Sequence, residues 1–505
     1  MSKTLEEFEQ YLDKMKKYEH INTLLYWDMK TCAPKLGQAG HIDALTYFST
    51  ESFAMSTSDE LYGMLEKLKK PEEFEQLSDK MKFIVTRMQR DMEKDRRIPK
   101  DRYEVMVREQ AESGNAWEDA KNASDFSIFA PHLEKMIALT REMAGYTDPG
   151  KEVYDVLLDK YEEGMDSATI DRLFGELKEA LIPLVKKILA AKQPDDTKFH
   201  AYFDPDDQRK VQDLLLSYIG FSKDAGSVGE TEHPFTLNFS SKDVRVTNHY
   251  YEHDPISAMF SAIHEGGHAI FEQNVNPEYD NTVAGSCHYM GVHESQSRFY
   301  ENILGRNKNF WIPVYGKVQE LMPQMKDISL DEFYHEINHV RNSLIRTEAD
   351  EVTYCFHIIL RYEMEKAIFR ENIPVGNLPE LWNQKMKEYL DITPANDAEG
   401  ILQDMHWSDG SFGYFPSYLL GSIYDGMYLE ELEKELGPVD EILKDGRILQ
   451  ITKWLNKKIH WYGSTRTPKE VIANVCGKEV SAEPLVRYFE KKYADIYNLD
   501  HLMEK

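Results

Sequence analysis

Two adjacent glycines in the middle of a strongly helical segment restrict this chain more than any other local feature. Asp254-Pro255 joins an N-cap residue to a proline at the first helical position, and opens an apolar-periodic run through Ile256, Phe260, Ile263, Ile270 and Phe271. Gly266 and Gly267 sit inside that run. Each costs about 1 kcal/mol against alanine in a helix interior, a cost that predicts another backbone in close approach. A fold that keeps this segment helical must bring a second stretch of chain against it.

Helical signals dominate elsewhere too. Residues 4–18, 78–118, 165–191, 329–370 and 427–435 space apolar positions three and four apart among Glu, Lys and Gln. Ser329-Leu330-Asp331-Glu332 has capping-box spacing and predicts one long helix to about Arg370, since neither Pro nor Gly interrupts it. Strand character is confined to Phe235–Phe239 and Val244–Tyr250, which predict a hairpin around Ser240-Ser241-Lys242-Asp243. The expected class is mainly α, with a small sheet beside the Asp254 helix. Residues 1–505 read as one unit without a firm boundary: a mostly helical wall or lid over 1–200, and the core over 201–505.

Charge narrows the partners. With 88 acidic against 60 basic side chains the net charge is −28, which argues against a nucleic-acid ligand. The longest apolar stretches, near Ala180–Ala191 and Cys355–Leu360, are broken by Lys186, Lys187 and His357 and fall short of the ~20 residues of a membrane span. The charged start, Met1 to Lys17, does not read as a secretory signal, so a cytoplasmic protein is expected. Cys32, Cys287, Cys355 and Cys476 are scattered singly, without a CxxC pair, and predict reduced thiols.

The glycine pair lies within His264-Glu265-Gly266-Gly267-His268. Histidines at i and i+4 project from one helical face, so both imidazoles reach one metal while the glutamate stands beside them to orient a water. A random chain of this composition contains HExxH about 0.05 times. A catalytic zinc needs a third protein ligand, commonly a carboxylate from a following helix. Glu272, Glu278, Asp280, Glu294 and Glu301 are the candidates. Glu294 is best placed, because it lies 26 residues after His268 in a run that can stay helical until Gly305.

These residues resemble the carboxypeptidase Taq family of metallocarboxypeptidases. The likeness is carried by six motifs in order: His233-Pro234-Phe235, Asp243-Val244-Arg245-Val246-Thr247, His264 to His268, His293-Glu294-Ser295-Gln296, Ile345-Arg346-Thr347-Glu348-Ala349-Asp350, and Gly400-Ile401-Leu402-Gln403-Asp404-Met405-His406-Trp407. It extends from Trp27-Asp28 to Lys491-Lys492-Tyr493. Cys32-Ala33 and His41 depart from the residues usual in the family, Met-Pro and arginine, at positions remote in sequence from the metal motif.

The resemblance implies a helical peptidase with a deep groove, usually homodimeric, that removes single residues from free peptide C-termini with broad side-chain preference. It implies one zinc per chain, or cobalt, on His264, His268 and Glu294, with Glu265 as general base towards an activated water. His406 and either Tyr414 or Tyr418 are the implied oxyanion donors. Arg346 is the implied anchor for the terminal carboxylate, with Arg245 as competitor; on the expected long helix Arg346 and Asp350 would otherwise form an i, i+4 pair worth ~0.3–0.5 kcal/mol. An oligopeptidase cutting internal bonds shares every metal-site residue, and a non-catalytic peptide-binding scaffold would keep only the groove.

Overall fold

The computed structural model describes residues 2–280, 282–285 and 287–499. Helices dominate, and many start on a side-chain cap: Ser2, Ser78, Asp166 and Asp254 each accept a hydrogen bond from an amide of the first turn. The periodic segments 4–18 and 427–435 lie inside longer helices, Lys3–Thr31 and Phe415–Leu436, and 165–191 corresponds to Ser167–Ala190. Segment 78–118 divides into Asp79–Asp95 and Lys100–Ala123, because Pro99 precedes the second helix and cannot continue the first.

The expected long helix over 329–370 is two helices. The capping box forms as predicted and starts Leu330–Ile337, but the chain then leaves helical geometry and resumes at Thr353–Phe369. Tertiary partners favour the interruption. The Asn338 amide donates to the carbonyls of Arg306 and Tyr334, and Asp350 accepts from the amides of Arg341, Val352 and Thr353. Arg346 and Asp350 therefore share no helical face, and Arg346 bonds Asp404 instead.

The expected hairpin is present. Thr236–Ser240 (β2) pairs antiparallel with Asp243–Asn248 (β3), with Leu237 opposite Arg245. A third strand, Gly226–Glu230 (β1), pairs parallel with β3, so the order is β1-β3-β2. Its sequence, Gly-Ser-Val-Gly-Glu, has no strand periodicity. Gly226 is required there, because a Cβ would fall 2.3 Å from the Val244 carbonyl oxygen.

The helix Pro255–Gln273 packs against this sheet, against Pro205–Ile219 and against the short helix Met290–Arg298, which continues as a π-helical turn over Phe299–Gly305. Gly267 meets the backbone that the cost of the pair predicts, whereas Gly266 meets side chains. A Cβ at Gly267 would lie 2.7 Å from the Gln296 carbonyl oxygen and 2.8 Å from Ser297 Cα, and one at Gly266 would strike Ile219 and Leu216. From the opposite side, a Cβ at Gly421 of the 415–436 helix would lie 3.0 Å from the Ser295 amide nitrogen. The 290–298 helix is thus held between two glycine notches, with Ser295, Gln296 and Ser297 fully buried.

Residues 153–163 join the N-terminal helices to this core. Glu365 is buried, pairs with no cation among the described residues, and accepts from Tyr154 Oη, Trp407 Nε1 and the Gly413 amide at 2.8–2.9 Å. Glu162, also buried, accepts from the Gly291 amide and Tyr424 Oη at 2.8 Å. Its neighbour Glu163 pairs instead with Arg87 and Arg90 of the Asp79–Asp95 helix.

Candidate metal centre

His264 and His268 project from one face of the 255–273 helix and meet Glu294 of the 290–298 helix, so that one donor atom from each lies within 4.8 Å of the others. The donors are specific. Nε2 of His268 is 3.5 Å and Nε2 of His264 4.0 Å from Glu294 Oε2. Both Nδ1 atoms point away and are occupied: His264 Nδ1 lies 2.8 Å from Glu301 Oε2, and His268 Nδ1 lies 2.6 Å from His293 Nδ1. The remaining oxygen of Glu294 accepts from Arg298 Nε at 2.7 Å. Two imidazole nitrogens and one carboxylate oxygen, aimed at a common point and backed by hydrogen bonds, suit a divalent metal with one position open.

Electrostatics agree with that use. Burial works against charge on His264, but its hydrogen bond to Glu301 and the charges of Glu294 and Glu301 outweigh it and lift the imidazole to about 9. Burial also opposes ionisation of Glu294, yet Arg298 and the two histidines hold it well below the usual carboxylate range. Burial, and next the neighbouring His293, drive His268 the other way, down to about 3, so it stands as a neutral imidazole beside an anionic Glu294, as a metal ligand should. Two other groupings of acids and histidine have comparable spacing and are already closed. In one, Glu109 binds His132 directly at 2.7 Å; in the other, Arg341 bonds Asp196, Glu336 and His339.

Glu265 is buried beside the ligands, and burial raises its pKa. Its Oε2 accepts from the Thr236 hydroxyl at 2.6 Å, so β2 orients the carboxyl. Thr236 was not singled out by sequence, although it follows His233-Pro234-Phe235 directly. Of the five carboxylates offered as third ligand, Glu301 supports His264 and Glu272 supports His293, at 2.8 Å each. Asp280 caps Ser241 from the exit loop, and Glu278 is exposed.

His406, Tyr414 and Tyr418 come together. The His406 ring stacks on Tyr414, centroids 5.6 Å apart, and its Nε2 lies 3.4 Å from Tyr418 Oη. Burial drives His406 down to about 4, so it is a neutral imidazole near pH 7. Burial raises Tyr414 to about 12, with the charge of Glu294 the next contribution. Burial likewise raises Tyr418 well above its ordinary value, while the charge of Arg346 pulls the other way.

The two candidate arginines differ in their company. Arg245 forms a two-pronged pair with Asp243 at 2.7–2.8 Å and lies over Phe239, so its charge is matched one to one. Arg346 shares Asp404 with the fully buried Arg361, leaving two guanidinium groups for one carboxylate. It also donates to Tyr354 Oη at 3.0 Å and sits 5.1 Å from the Tyr418 ring centroid. Tyr354 in turn lies under Arg298, the partner of Glu294. Arg346 is thus linked to the metal ligands through two side chains.

The family model described as carboxypeptidase Taq (M32) metallopeptidase matches residues 7–493. The chain is 42 % identical over 495 residues to carboxypeptidase 1 of Bacillus subtilis, covering 98 % of each chain. It is 36 % identical over 488 residues to thermostable carboxypeptidase 1 of Thermus thermophilus, covering 94 % of this chain and 96 % of the relative. The crystal structure of an M32 carboxypeptidase from Deinococcus radiodurans R1 superposes with a TM-score of 0.95 at 28 % identity, over 98 % of this chain and all of the other. The chain therefore belongs to the carboxypeptidase Taq family of metallopeptidases, and is a metal-dependent carboxypeptidase.

Proposed function

We propose that the protein removes single amino acids from the free C-termini of peptides, with zinc held by His264, His268 and Glu294, and with broad side-chain preference. The observation that carries the exopeptidase reading is the surplus positive charge at Arg346. Two arginines against one aspartate leave, among the described residues, a buried unit charge without a paired anion, a costly arrangement that a substrate carboxylate relieves. Arg245, already paired one to one with Asp243, has no such surplus and acts in the sheet.

When bound, the metal supplies Lewis acidity that lowers the pKa of a water and polarises the scissile carbonyl. Glu265, set by Thr236, takes the proton from that water and returns it to the leaving amine. A carboxyl whose affinity for protons is raised by burial is suited to hold one between the two steps. Tyr414 and neutral His406, whose rings stack, donate to the developing oxyanion. Tyr418 then orients His406 and flanks Arg346.

Two imidazoles and a carboxylate suit zinc, and cobalt fits the same donors. No described helix is long and apolar enough to cross a membrane. We further propose a cytoplasmic homodimer, one metal per chain, with residues 1–200 walling the groove. The test pairs a free-carboxyl peptide with its amidated twin, with and without chelator. Stepwise single-residue losses from the free-carboxyl peptide alone, abolished by chelation and restored by zinc, are expected. Internal fragments from both peptides favour the oligopeptidase reading, and equal cleavage of the twins by wild type and Arg346→Ala refutes the anchor.

A further inference from the structure

His268 differs from His264 in what stands behind it. His264 Nδ1 meets a carboxylate directly, whereas His268 Nδ1 meets another imidazole, His293, at 2.6 Å. His293 Nε2 then lies 2.8 Å from Glu272 Oε1, and the other oxygen of Glu272 accepts from the Asn238 amide on β2. The chain ends there: Glu272 is 4 % exposed, and no lysine or arginine pairs with it among the described residues.

Proton accounting leaves one arrangement. An imidazole that offers Nε2 to a metal keeps its proton on Nδ1. His268 therefore donates through Nδ1 to His293, whose Nδ1 must be unprotonated. Neutral His293 then carries its proton on Nε2 and donates it to Glu272 Oε1, while Asn238 holds the other oxygen. Reversing the bond between the two rings would place the proton of His268 on Nε2, the nitrogen offered to the metal.

We propose that His293 and Glu272 are positioning residues that orient His268 and raise its donor strength through a carboxylate–imidazole–imidazole relay. The two histidine ligands are consequently unequal, one supported by a carboxylate and one by a carboxylate acting through a second ring. A packing role alone would not call for a buried carboxylate at the end of the chain, since burying a charge is unfavourable unless it is bonded to some purpose. The proposal rests on His264, His268 and Glu294 being the metal ligands.

The test is metal affinity by chelator competition and the visible spectrum of the cobalt-loaded protein, both read without substrate. Removing an outer partner of a metal-bound histidine costs about 10- to 100-fold in affinity. His293→Ala should lose that much and alter the cobalt bands. His293→Asn, whose amide oxygen can occupy the place of Nδ1, should recover part of the loss. Glu272→Gln keeps the shape and removes the charge, so it should lose several-fold; if His293→Ala does not fold, this variant carries the test. Variants that hold zinc within about twofold of wild type, with its cobalt spectrum, overturn the relay and leave the ligand assignment intact. Wild-type protein that takes up no zinc, or His264→Ala that binds it as tightly, overturns the ligand assignment and the relay with it.

Discussion

Gly267→Ala is expected to damage the protein although it improves the local helix. The added methyl would sit 2.7 Å from the Gln296 carbonyl oxygen and 2.8 Å from Ser297 Cα, where ordinary contact begins at 3.4 Å. Both obstacles are backbone in a fully buried segment, so no side chain can rotate away. The 290–298 helix has to retreat by about 0.7 Å, and Gly421 closes its other side. Overpacking of this kind costs about 1–3 kcal/mol, against a propensity gain of about 1 kcal/mol. Gly175→Ala is the control, because that helical position has nothing within 4 Å of a new Cβ and receives the same gain without the clash. The difference between the two variants, read by chemical denaturation of the metal-free proteins, therefore measures overpacking and should be about 1–3 kcal/mol. Since the displaced helix carries Glu294, zinc affinity should fall in Gly267→Ala and not in Gly175→Ala. Equal stabilisation of both variants would refute the reasoning.

Glu265→Gln should lower kcat by about 10²- to 10⁴-fold while zinc content stays at the wild-type value; a milder loss would move the base elsewhere. Tyr414→Phe should reduce kcat with little change in KM, whereas Tyr418→Phe should act more on KM through Arg346; the reverse pattern would exchange their roles. Burial raises Glu365 to about 7 against an ordinary 4.5, so the folded state holds a proton that the unfolded chain releases between those values. The stability this group contributes is full below pH 4.5 and is lost as pH rises through 7. The stability of wild type relative to Glu365→Gln should therefore shrink from pH 5 to pH 8; a constant difference contradicts the shift.

Local signals in the chain carried the parts whose causes are local. A cap, a proline and period-3.6 burial define the 255–273 helix, and His264 and His268 converge because four residues make about one turn. The glycine pair foretold its neighbour because the cost of glycine is a property of the helix itself. The break after Ile337 was invisible for the opposite reason: Asn338, Arg346 and Asp350 find their partners at Arg306, Asp404 and Arg341, and those bonds outweigh helical propensity. β1 exists through its pairing with β3, not through its own residues. Glu272, Glu294 and Glu301 look alike in sequence, and which of them faces the convergence of the two histidines depends on how two helices cross. The surplus charge at Arg346 likewise required Arg361 and Asp404 to be seen together.

Glu162 and Glu163 stand next to each other and fasten the same strut by different chemistry. The first bonds neutral donors in the dry interior, where dissolved ions do not reach. The second holds Arg87 and Arg90 at partly exposed ion pairs, which a Debye length of about 8 Å at physiological ionic strength already weakens. Salt therefore acts on the outer fastening and spares the inner one. The tie between the Asp79–Asp95 helix and the strut weakens as ionic strength rises, while the Gly291 end of the Glu294 helix stays clamped. In this architecture the outer fastening of the strut responds to the solution, and the inner one, beside the helix that carries Glu294, does not.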